Sequence, residues 1–408
     1  MAKKKCKNQG SHEADISTFK QIFIDHWEPF KSTNPRYDTT YYDDVITKMI
    51  DCGNPEKMGY AGWRCLGCGE YKTVAMTCKS TFCLSCAVPY TDHWMEFISR
   101  RLIPGVTYRH LVLTTPKHLR IYFYRNRELL SPFMKLAHPL LLDVFTTAFN
   151  VELDIGLVVV LQTFGRPGNY NVHLHILFSS GGITPDGTWK PISFIPYELV
   201  RKKWQYYLLT FLRQEAPPSV SLNKDIDKAW HNNPKGFVIN IQKGDVPPGG
   251  KGLAKYLAKY LVSPPIALRR ITAYDGESVS YWYKDHKTKA KEHETVPVLT
   301  FIGRMVQHIL PKGFQRIRYY GFHSNVRYAA MRDEITRIQP PAKLLNDANS
   351  YRILPRKSFQ ELAITTLGND PLKCPNCGQQ MLLERIWHPT YGIIVDYAHS
   401  YETYQDTG

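Results

Sequence analysis

Long hydrophobic runs are missing from this sequence of 408 residues. No apolar stretch reaches the roughly 20 residues that a membrane-spanning helix needs. The N-terminus, Met1 to His12, is basic but lacks the apolar segment of a signal peptide. A phosphate-binding loop of the form GxxxxGK(S/T) is also missing, which argues against a built-in motor driven by nucleoside triphosphates. We therefore expect a cytoplasmic protein without a membrane partner.

Acidic residues are scarce relative to basic ones. The chain has 36 Asp and Glu against 52 Lys and Arg, a formal net charge of +16, and a sequence pI of about 9.3. This surplus favours a polyanionic partner and salt-sensitive binding. Nucleic acid is the leading candidate, although ribosomal or anionic-membrane association would give the same charge signal.

Internal repeats and low-complexity tracts are absent. A hydrophobic content of 43% with 13% aromatic residues is typical of a folded protein, and the length predicts two or three domains. Helical periodicity over Ile16 to Met49 and Tyr197 to Glu215 is mixed irregularly with strand patterns such as Arg109 to Pro116. We predict an α+β fold, with an antiparallel sheet flanked by helices.

The predicted division has three parts. Residues 1–103 form an N-terminal helical and zinc-binding domain, residues 104–335 a catalytic domain, and residues 336–408 a C-terminal region with a CxxC knuckle. The Pro-containing stretch from Ile338 to Ser358 is the expected linker.

The nine cysteines are unevenly distributed. Six of them fall within 35 residues, two form a late pair, and Cys6 stands alone. Without an export signal, such clusters favour metal binding over disulfides. The six are Cys52, Cys65, Cys68, Cys78, Cys83 and Cys86, and the late pair is Cys374 and Cys377.

Two CxxC knuckles, RCLGCG and FCLSC, have the spacing of a zinc ribbon. Each knuckle is expected to supply two ligands to one structural zinc ion. The alternative is another metal or a redox use. Cys52 and Cys78 either serve a second site with histidines such as His26 or His93, or the six thiolates divide differently between two ions. The ribbon ligands would be Cys65, Cys68, Cys83 and Cys86.

The late KCPNCG knuckle supplies half of a possible zinc site through Cys374 and Cys377. His388 and His399 are candidates to complete it. The alternative is that the pair binds no metal.

A histidine pair lies on a predicted β-hairpin. The apolar runs LVVVLQTF and VHLHILFSS flank GRPGNYN, a cluster typical of a turn. His173 and His175 are two residues apart, so both imidazoles point to one face of a strand and can share an ion. Folding the strands back about Pro167 and Gly168 brings Gln162 opposite His173, as a third ligand. The alternative is two ordinary strand histidines.

A tyrosine pair lies on a predicted helix in GLAKYLAKYLVSPP. Tyr256 and Tyr260 are four residues apart and therefore share a helix face, with Lys255 and Lys259 beside them. The alternative is an amphipathic helix with two half-buried tyrosines. A phenol has a pKa of about 10, so it attacks at neutral pH only when the electrophile is polarised and correctly positioned.

These motifs together resemble those of the HUH rolling-circle transposases, in particular the two-tyrosine transposases of the IS91 type. The resemblance extends over most of the chain. It is carried by the cysteine-rich segment, the LVLTTP strand, LQTFGRPGNYNVHLHILFSSGG, YLAKY and FIGRMVQHILPKGFQRIRYYG.

The resemblance implies an HUH endonuclease domain. His173 and His175 would bind magnesium or manganese, and Tyr256 and Tyr260 would be the nucleophiles. The implied substrate is single-stranded DNA at the ends and target of a mobile element, cut with formation of a 5′-phosphotyrosine. Gln162 as third ligand rests on the hairpin geometry.

The implied partners include host replication or helicase proteins, because strand separation needs an external source of energy. A protein acting on DNA in this way would associate with the nucleoid. The candidate DNA-binding cations are Lys255, Lys259, Arg269, Arg270, Arg304 and Arg318.

The cysteine-rich segment departs from the family pattern in one respect. Related domains often have histidines among the cysteines, whereas this chain has Gly59, Tyr60 and Phe82. The ligands of a second zinc ion therefore stay open.

Two other functions share parts of this pattern. A plasmid or phage replication initiator, or a relaxase, would use the same chemistry at an origin. A non-catalytic, zinc-dependent DNA-binding protein would use the histidines and tyrosines as core residues.

Overall fold

The computed structural model describes residues 16–87, 97–98, 101–103, 105–242, 264–285, 288–338, 360–361, 364 and 370–398. Within these ranges, none of the helices has the length and apolarity to span a membrane. The helices are α1 (Ile16–Thr33), α2 (Thr40–Asp51), α3 (Pro55–Met58), α4 (Arg120–Arg125), α5 (Leu130–Lys135), α6 (Ala137–Phe149), α7 (Tyr197–Glu215), α8 (Val220–Asn232), α9 (Val298–Val306) and α10 (Tyr328–Ile338).

The strands form antiparallel sheets. They are β1 (Tyr60–Cys65), β2 (Tyr71–Ala75), β3 (Tyr108–Thr114), β4 (Leu157–Phe164), β5 (Tyr170–Ser179), β6 (Gly181–Ile183), β7 (Trp189–Pro191), β8 (Ile239–Ile241), β9 (Ile271–Tyr274), β10 (Ser278–Lys284), β11 (Lys291–Pro297), β12 (Ile317–Tyr320), β13 (Met381–His388) and β14 (Gly392–Asp396). Helices and antiparallel sheet are thus mixed, as predicted.

Two of the predicted helices can be compared directly with the structure. The helix over Tyr197–Glu215 has the predicted bounds. The helix predicted over Ile16 to Met49 is interrupted after Thr33, because Pro35 has no amide hydrogen and disfavours a helical conformation at the residue before it. The sequence from Asp92 to Leu102 also predicts a helix, and most of it lies outside the described residues.

A five-stranded sheet carries the candidate site, with strand order β12-β4-β5-β3-β8. Alternate residues of β4 point to opposite faces. Leu157, Val159 and Leu161 join the large core built with the helices between β3 and β8. Val158 and Val160 join a smaller core that includes Phe322 on the other face. Because both faces are covered, the strands are apolar almost throughout.

The β4–β5 hairpin has the predicted register. Gln162 pairs with His173, and the turn closes through a hydrogen bond from the Gly165 amide to the Asn169 carbonyl, at 3.0 Å. Gly168 has a φ of 78°, a conformation that glycine adopts without strain. This turn fixes which side chains of β5 lie beside Gln162.

Of the smaller sheets, one joins strands that are neighbours in sequence and another joins distant parts of the chain. One has the order β11-β10-β9, and another has the order β14-β13-β1-β2. In the latter, β1 pairs with β13, so the predicted N-terminal and C-terminal regions share one sheet. Helix α1 packs against α9, and Phe19 contacts Phe301 with ring centroids 6.5 Å apart. The N-terminal helix is therefore joined to the predicted catalytic region by a common core.

Candidate functional site

The three predicted ligands of the divalent ion converge on one face of the central sheet. Nε2 of His173 lies 3.1 Å from Nε2 of His175, and the latter lies 3.2 Å from Oε1 of Gln162. All three side chains are buried. The alternation of β4 and β5 that points Val159 and Ile176 into the apolar core points these three groups away from it.

The ring orientation of His173 is fixed by a backbone contact. Its Nδ1 lies 2.7 Å from the carbonyl oxygen of Asn171. A carbonyl oxygen only accepts, so Nδ1 carries the hydrogen, and the neutral ring keeps a lone pair on Nε2. That lone pair points towards Nε2 of His175.

His110 is a member of the cluster that the sequence patterns did not single out. Its Nε2 lies 3.0 Å from Nδ1 of His175, and the two rings are stacked with centroids 5.2 Å apart. The sequence RHLVLTT contains the information that places His110 in the cluster. His110 and Val112 lie on the same face of β3, and Val112 is the residue that pairs with His175. The position of β3 beside β5 depends on long-range pairing.

Burial keeps the imidazoles neutral. It lowers the pKa of His110 to about 4 and, as the main cause, that of His173 to about 4. The pKa of His175 is also lowered, first by burial and then by its two histidine neighbours. A neutral imidazole is the form that binds a metal ion.

The donor set fits a divalent ion. Adjacent ligands about 2.1 Å from an octahedral ion lie about 3.0 Å apart, close to the observed 3.1 Å and 3.2 Å separations. The amide oxygen suits magnesium and manganese, and the two imidazole nitrogens suit divalent transition metals. This cluster can therefore hold the ion that the sequence motifs imply.

The predicted nucleophiles, Tyr256 and Tyr260, lie outside the described residues, as do Lys255 and Lys259. Their roles stay predictions.

The four candidate DNA-binding arginines have different surroundings. Arg304 forms an ion pair with Glu294 at 2.8 Å, which offsets its charge. Arg318 donates to Ser131 Oγ at 2.7 Å. Arg270 lies over the Trp282 ring, 5.5 Å from its centroid, and Arg269 is exposed. DNA contact by any of them stays a prediction.

The eight described cysteines form two clusters of four. In each, the sulfur atoms lie within 4.8 Å of one another. Four sulfurs about 2.3 Å from a tetrahedral zinc ion lie about 3.8 Å apart, so both clusters have the right size. The first consists of Cys52, Cys78, Cys83 and Cys86, and the second of Cys65, Cys68, Cys374 and Cys377.

The predicted ribbon grouping of Cys65 and Cys68 with Cys83 and Cys86 is therefore wrong. Cys86 Sγ lies 3.5 Å from Cys52 and 3.6 Å from Cys78, so the two cysteines left over in the ribbon prediction complete the first cluster. The physical reason is the β1–β13 pairing, which brings a distant knuckle to Cys65. Of the histidines proposed as ligands, His26 bonds to the Gly276 carbonyl instead.

The remaining histidine predictions have similar outcomes. The second cluster is filled by four sulfurs without His388. His93 and His399 lie outside the described residues.

Comparisons with known proteins identify two regions. Residues 156–330 match a family model described as "Putative transposase", and residues 22–115 match one described as "Transposase zinc-binding domain". No solved structure matches the chain.

Two curated proteins are similar over most of the chain. One is "Transposase for insertion sequence element IS801" of Pseudomonas savastanoi pv. phaseolicola, 29% identical over 83% of this chain and 82% of that protein. The other is "Putative transposase y4qJ" of Sinorhizobium fredii, 25% identical over 89% of this chain and 93% of that protein.

Proposed function

Because this chain belongs to the IS91 family of transposases, we propose that it nicks and rejoins single-stranded DNA at the ends of a mobile element through a tyrosine-linked intermediate. The observation that carries this proposal is the convergence of His173, His175 and Gln162 on one point. The match to transposase models and the two transposase relatives favour this function over a plasmid initiator or a relaxase.

The metal site would act on the scissile phosphate. A magnesium or manganese ion held by His173, His175 and Gln162 would supply Lewis-acid polarisation of a non-bridging phosphate oxygen. The histidines orient their lone pairs towards the ion position, since Asn171 holds the His173 ring and His110 contacts that of His175. Burial on the sheet excludes water from the back of the site.

Tyr256 or Tyr260 would be the nucleophile. The phenol loses its proton as its oxygen forms a bond to the phosphorus, the bond from phosphorus to the 3′ oxygen breaks, and the leaving 3′ oxygen takes up a proton. The products are a 5′-phosphotyrosine and a free 3′-hydroxyl. Because the new ester has a similar energy, a 3′-hydroxyl can later reverse the step and join strands without ATP.

His110 would act as a positioning residue. Coordination through Nε2 of His175 requires the ring hydrogen on Nδ1, which then donates to Nε2 of His110 across 3.0 Å. Such outer partners fix the tautomer and orientation of a metal-bound imidazole. The contact therefore supports the metal-binding form of His175.

Zinc would have a structural role in the N-terminal region. The first cysteine cluster lies wholly inside the segment that matches the zinc-binding domain model. The bound ion would stabilise the contact between this segment and α1, whose Phe19 packs on Phe82 with ring centroids 5.9 Å apart.

The experiment is a nicking assay on single-stranded oligonucleotides that carry the ends of the protein's own element, with magnesium or manganese. We expect a protein–DNA adduct that survives SDS and a free 3′-hydroxyl on the other product. The adduct should be absent from a Tyr256→Phe/Tyr260→Phe double variant and present in Tyr391→Phe, a matched change at a tyrosine that is 75% exposed. An adduct that persists in the double variant would contradict the tyrosine mechanism, and absence of nicking by the wild type would favour a non-catalytic DNA-binding protein.

A further inference from the structure

The second cysteine cluster joins segments from opposite ends of the sequence. Cys68 and Cys374 are 306 positions apart, yet their sulfur atoms lie 3.6 Å from each other. Cys65 and Cys377 are 312 positions apart, with sulfur atoms separated by 3.4 Å. The family match to the zinc-binding domain ends at residue 115, so two of these four thiols lie far beyond it.

The two CxxC loops have matching backbone conformations. In the first, the Cys65 amide donates to the Glu70 carbonyl at 2.9 Å, and the Gly69 amide donates to the Cys65 carbonyl at 2.9 Å. In the second, the Cys374 amide donates to the Gln379 carbonyl at 2.8 Å, and the Gly378 amide donates to the Cys374 carbonyl at 3.0 Å. The equivalent bonds show that the loops are two copies of one knuckle.

A glycine follows the second cysteine in each of these knuckles. Gly69 and Gly378 both have a φ of 75°, where a side chain would be strained. Ala87 occupies the equivalent position after Cys86. Residues 84–87 are helical, so the Cys83–Cys86 loop lacks the left-handed glycine that follows the other two knuckles.

The sheet holds the knuckles face to face. Cys65 ends β1 and pairs with Met381, the first residue of β13. Arg64 forms a two-pronged ion pair with the buried Glu384, in which Nη2 donates to Oε1 at 3.0 Å. Asn376 donates to Glu70 Oε2 at 2.7 Å, directly between the knuckles. These contacts hold the two loops, and with them the four sulfurs, close together.

We propose that Cys65, Cys68, Cys374 and Cys377 bind a second structural zinc ion, which joins the N-terminal and C-terminal segments into one zinc-binding unit. The separations of 3.4 Å and 3.6 Å are close to the roughly 3.8 Å between sulfurs of a tetrahedral zinc site. All four positions are filled by thiolates, which is typical of a structural site rather than a catalytic one. The inference does not depend on the proposed DNA chemistry.

The first test is the zinc content of the purified full chain. All proteins would carry His173→Ala, so that zinc bound at the histidine cluster does not contribute. We expect two zinc ions per chain, and one after either Cys65→Ser/Cys68→Ser or Cys374→Ser/Cys377→Ser. The fourfold variant should also retain one ion, because both pairs belong to the same site. Loss of both ions from the fourfold variant, or two ions after Cys374→Ser/Cys377→Ser, would overturn the proposal.

His388→Ala is the matched control, since His388 is the described histidine that could otherwise complete a site with the late cysteines. We expect it to retain two zinc ions. A loss of one ion in this variant would mean that a histidine, not the Cys65–Cys68 knuckle, completes the site.

The second test uses the unmutated chain and is therefore independent of folding defects in the variants. Cys68 and Cys377 are exposed, so without a bound metal a maleimide would modify them quickly. We expect both to be protected in the native protein. After a chelator is added, Cys68 and Cys377, one from each knuckle, should become reactive at one common rate, which mass spectrometry of their peptides measures. Rapid modification before chelation, or different release rates for the two knuckles, would contradict a shared ion.

Discussion

The Nε2 atoms of His173 and His175 lie 3.1 Å apart on one face of β5. His173 has its hydrogen on the opposite nitrogen, so the position between the rings is rich in lone-pair density. We expect His173→Ala to weaken manganese binding by at least about 100-fold, because an ion loses a direct ligand. Titration with manganese, followed by electron paramagnetic resonance, measures this on protein that holds zinc at its cysteine clusters alone. Unchanged manganese affinity would rule out this face as the metal site.

Substitutions of Gln162 are expected to change the manganese affinity in both directions. Its amide oxygen lies 3.2 Å from Nε2 of His175, and a carboxylate there would add a negative charge next to the ion. We expect Gln162→Glu to bind manganese more tightly than the wild type and Gln162→Ala to bind it more weakly. If both variants weaken binding equally, Gln162 has a packing role only.

His110 can be tested through the hydrogen bond that it accepts. His110→Phe removes the acceptor for Nδ1 of His175, and we expect manganese affinity to fall roughly 10-fold to 100-fold. His110→Gln keeps an acceptor oxygen and should retain affinity close to the wild type. Thermal melting of both variants serves as the control for folding. Equal losses in the two variants would indicate that His110 acts through packing and not through the tautomer of His175.

The two tyrosines are distinguished by single substitutions. If Tyr256 and Tyr260 act on different strand ends, each single change to Phe should retain nicking of one end and abolish joining of two ends. The measurement is adduct formation on donor and target oligonucleotides, each labelled separately. Full joining activity in either single variant would show that one tyrosine suffices.

The ion pair between Arg64 and Glu384 stabilises the sheet that connects the chain ends. The Glu384 side chain is only 6% exposed, whereas that of Arg64 is 42% exposed. Arg64→Ala leaves a buried carboxylate without its partner, which costs about 1–3 kcal/mol. We expect faster hydrogen exchange in β1 and β13, and partial recovery in Arg64→Ala/Glu384→Gln. Lack of recovery would mean that Arg64 contributes mainly through packing.

His323 predicts a loss of stability in mild acid. The pKa of His323 is lowered to about 3, mainly because the ring is buried. Its Nε2 lies 2.9 Å from the buried Tyr108 hydroxyl. Below pH 6.5 the unfolded chain takes up a proton that the folded chain does not bind, so the free energy of unfolding falls by up to about 1.4 kcal/mol per pH unit.

The measurement is urea unfolding of the wild type and His323→Phe at about pH 6.5, 5.5 and 4.5. These values lie near the pKa of a histidine in the unfolded chain and below it. The variant should show a shallower decline. Above about pH 7.5 the two proteins should share the same pH dependence, because His323 is then neutral in both states. Parallel curves throughout would mean that His323 is protonated in the folded protein as well.

The candidate site was predictable from sequence where its contacts are local. Alternation along β4 and β5, together with the turn at Gly168, sets the pairing of Gln162 with His173. Local periodicity cannot specify which strand lies on the other side of β5, and for this reason His110 was missed. The pairing of β3 with β5 joins segments far apart in sequence, and it depends on burial of the whole sheet against the core.

The zinc ligands show the same limit more strongly. Spacing rules compare neighbouring cysteines, and they grouped Cys65 with Cys83 because both lie in CxxC motifs. The glycine after Cys68 and after Cys377 was a usable signal, since it marks two loops with the same backbone geometry. The β1–β13 pairing that unites them is a contact across most of the chain, and its energy comes from tertiary packing.

The shared knuckle site has a consequence for the order of events during protein synthesis. The ribosome must add the 306 positions between Cys68 and Cys374, which takes roughly 15 to 60 s at 5–20 residues per second. Until then β1 has β2 on one side and an open edge on the other, and its two thiols await their partners. Closure of this sheet is thus a late maturation step, and a prematurely terminated polypeptide would retain a reactive thiol pair beside an unpaired strand.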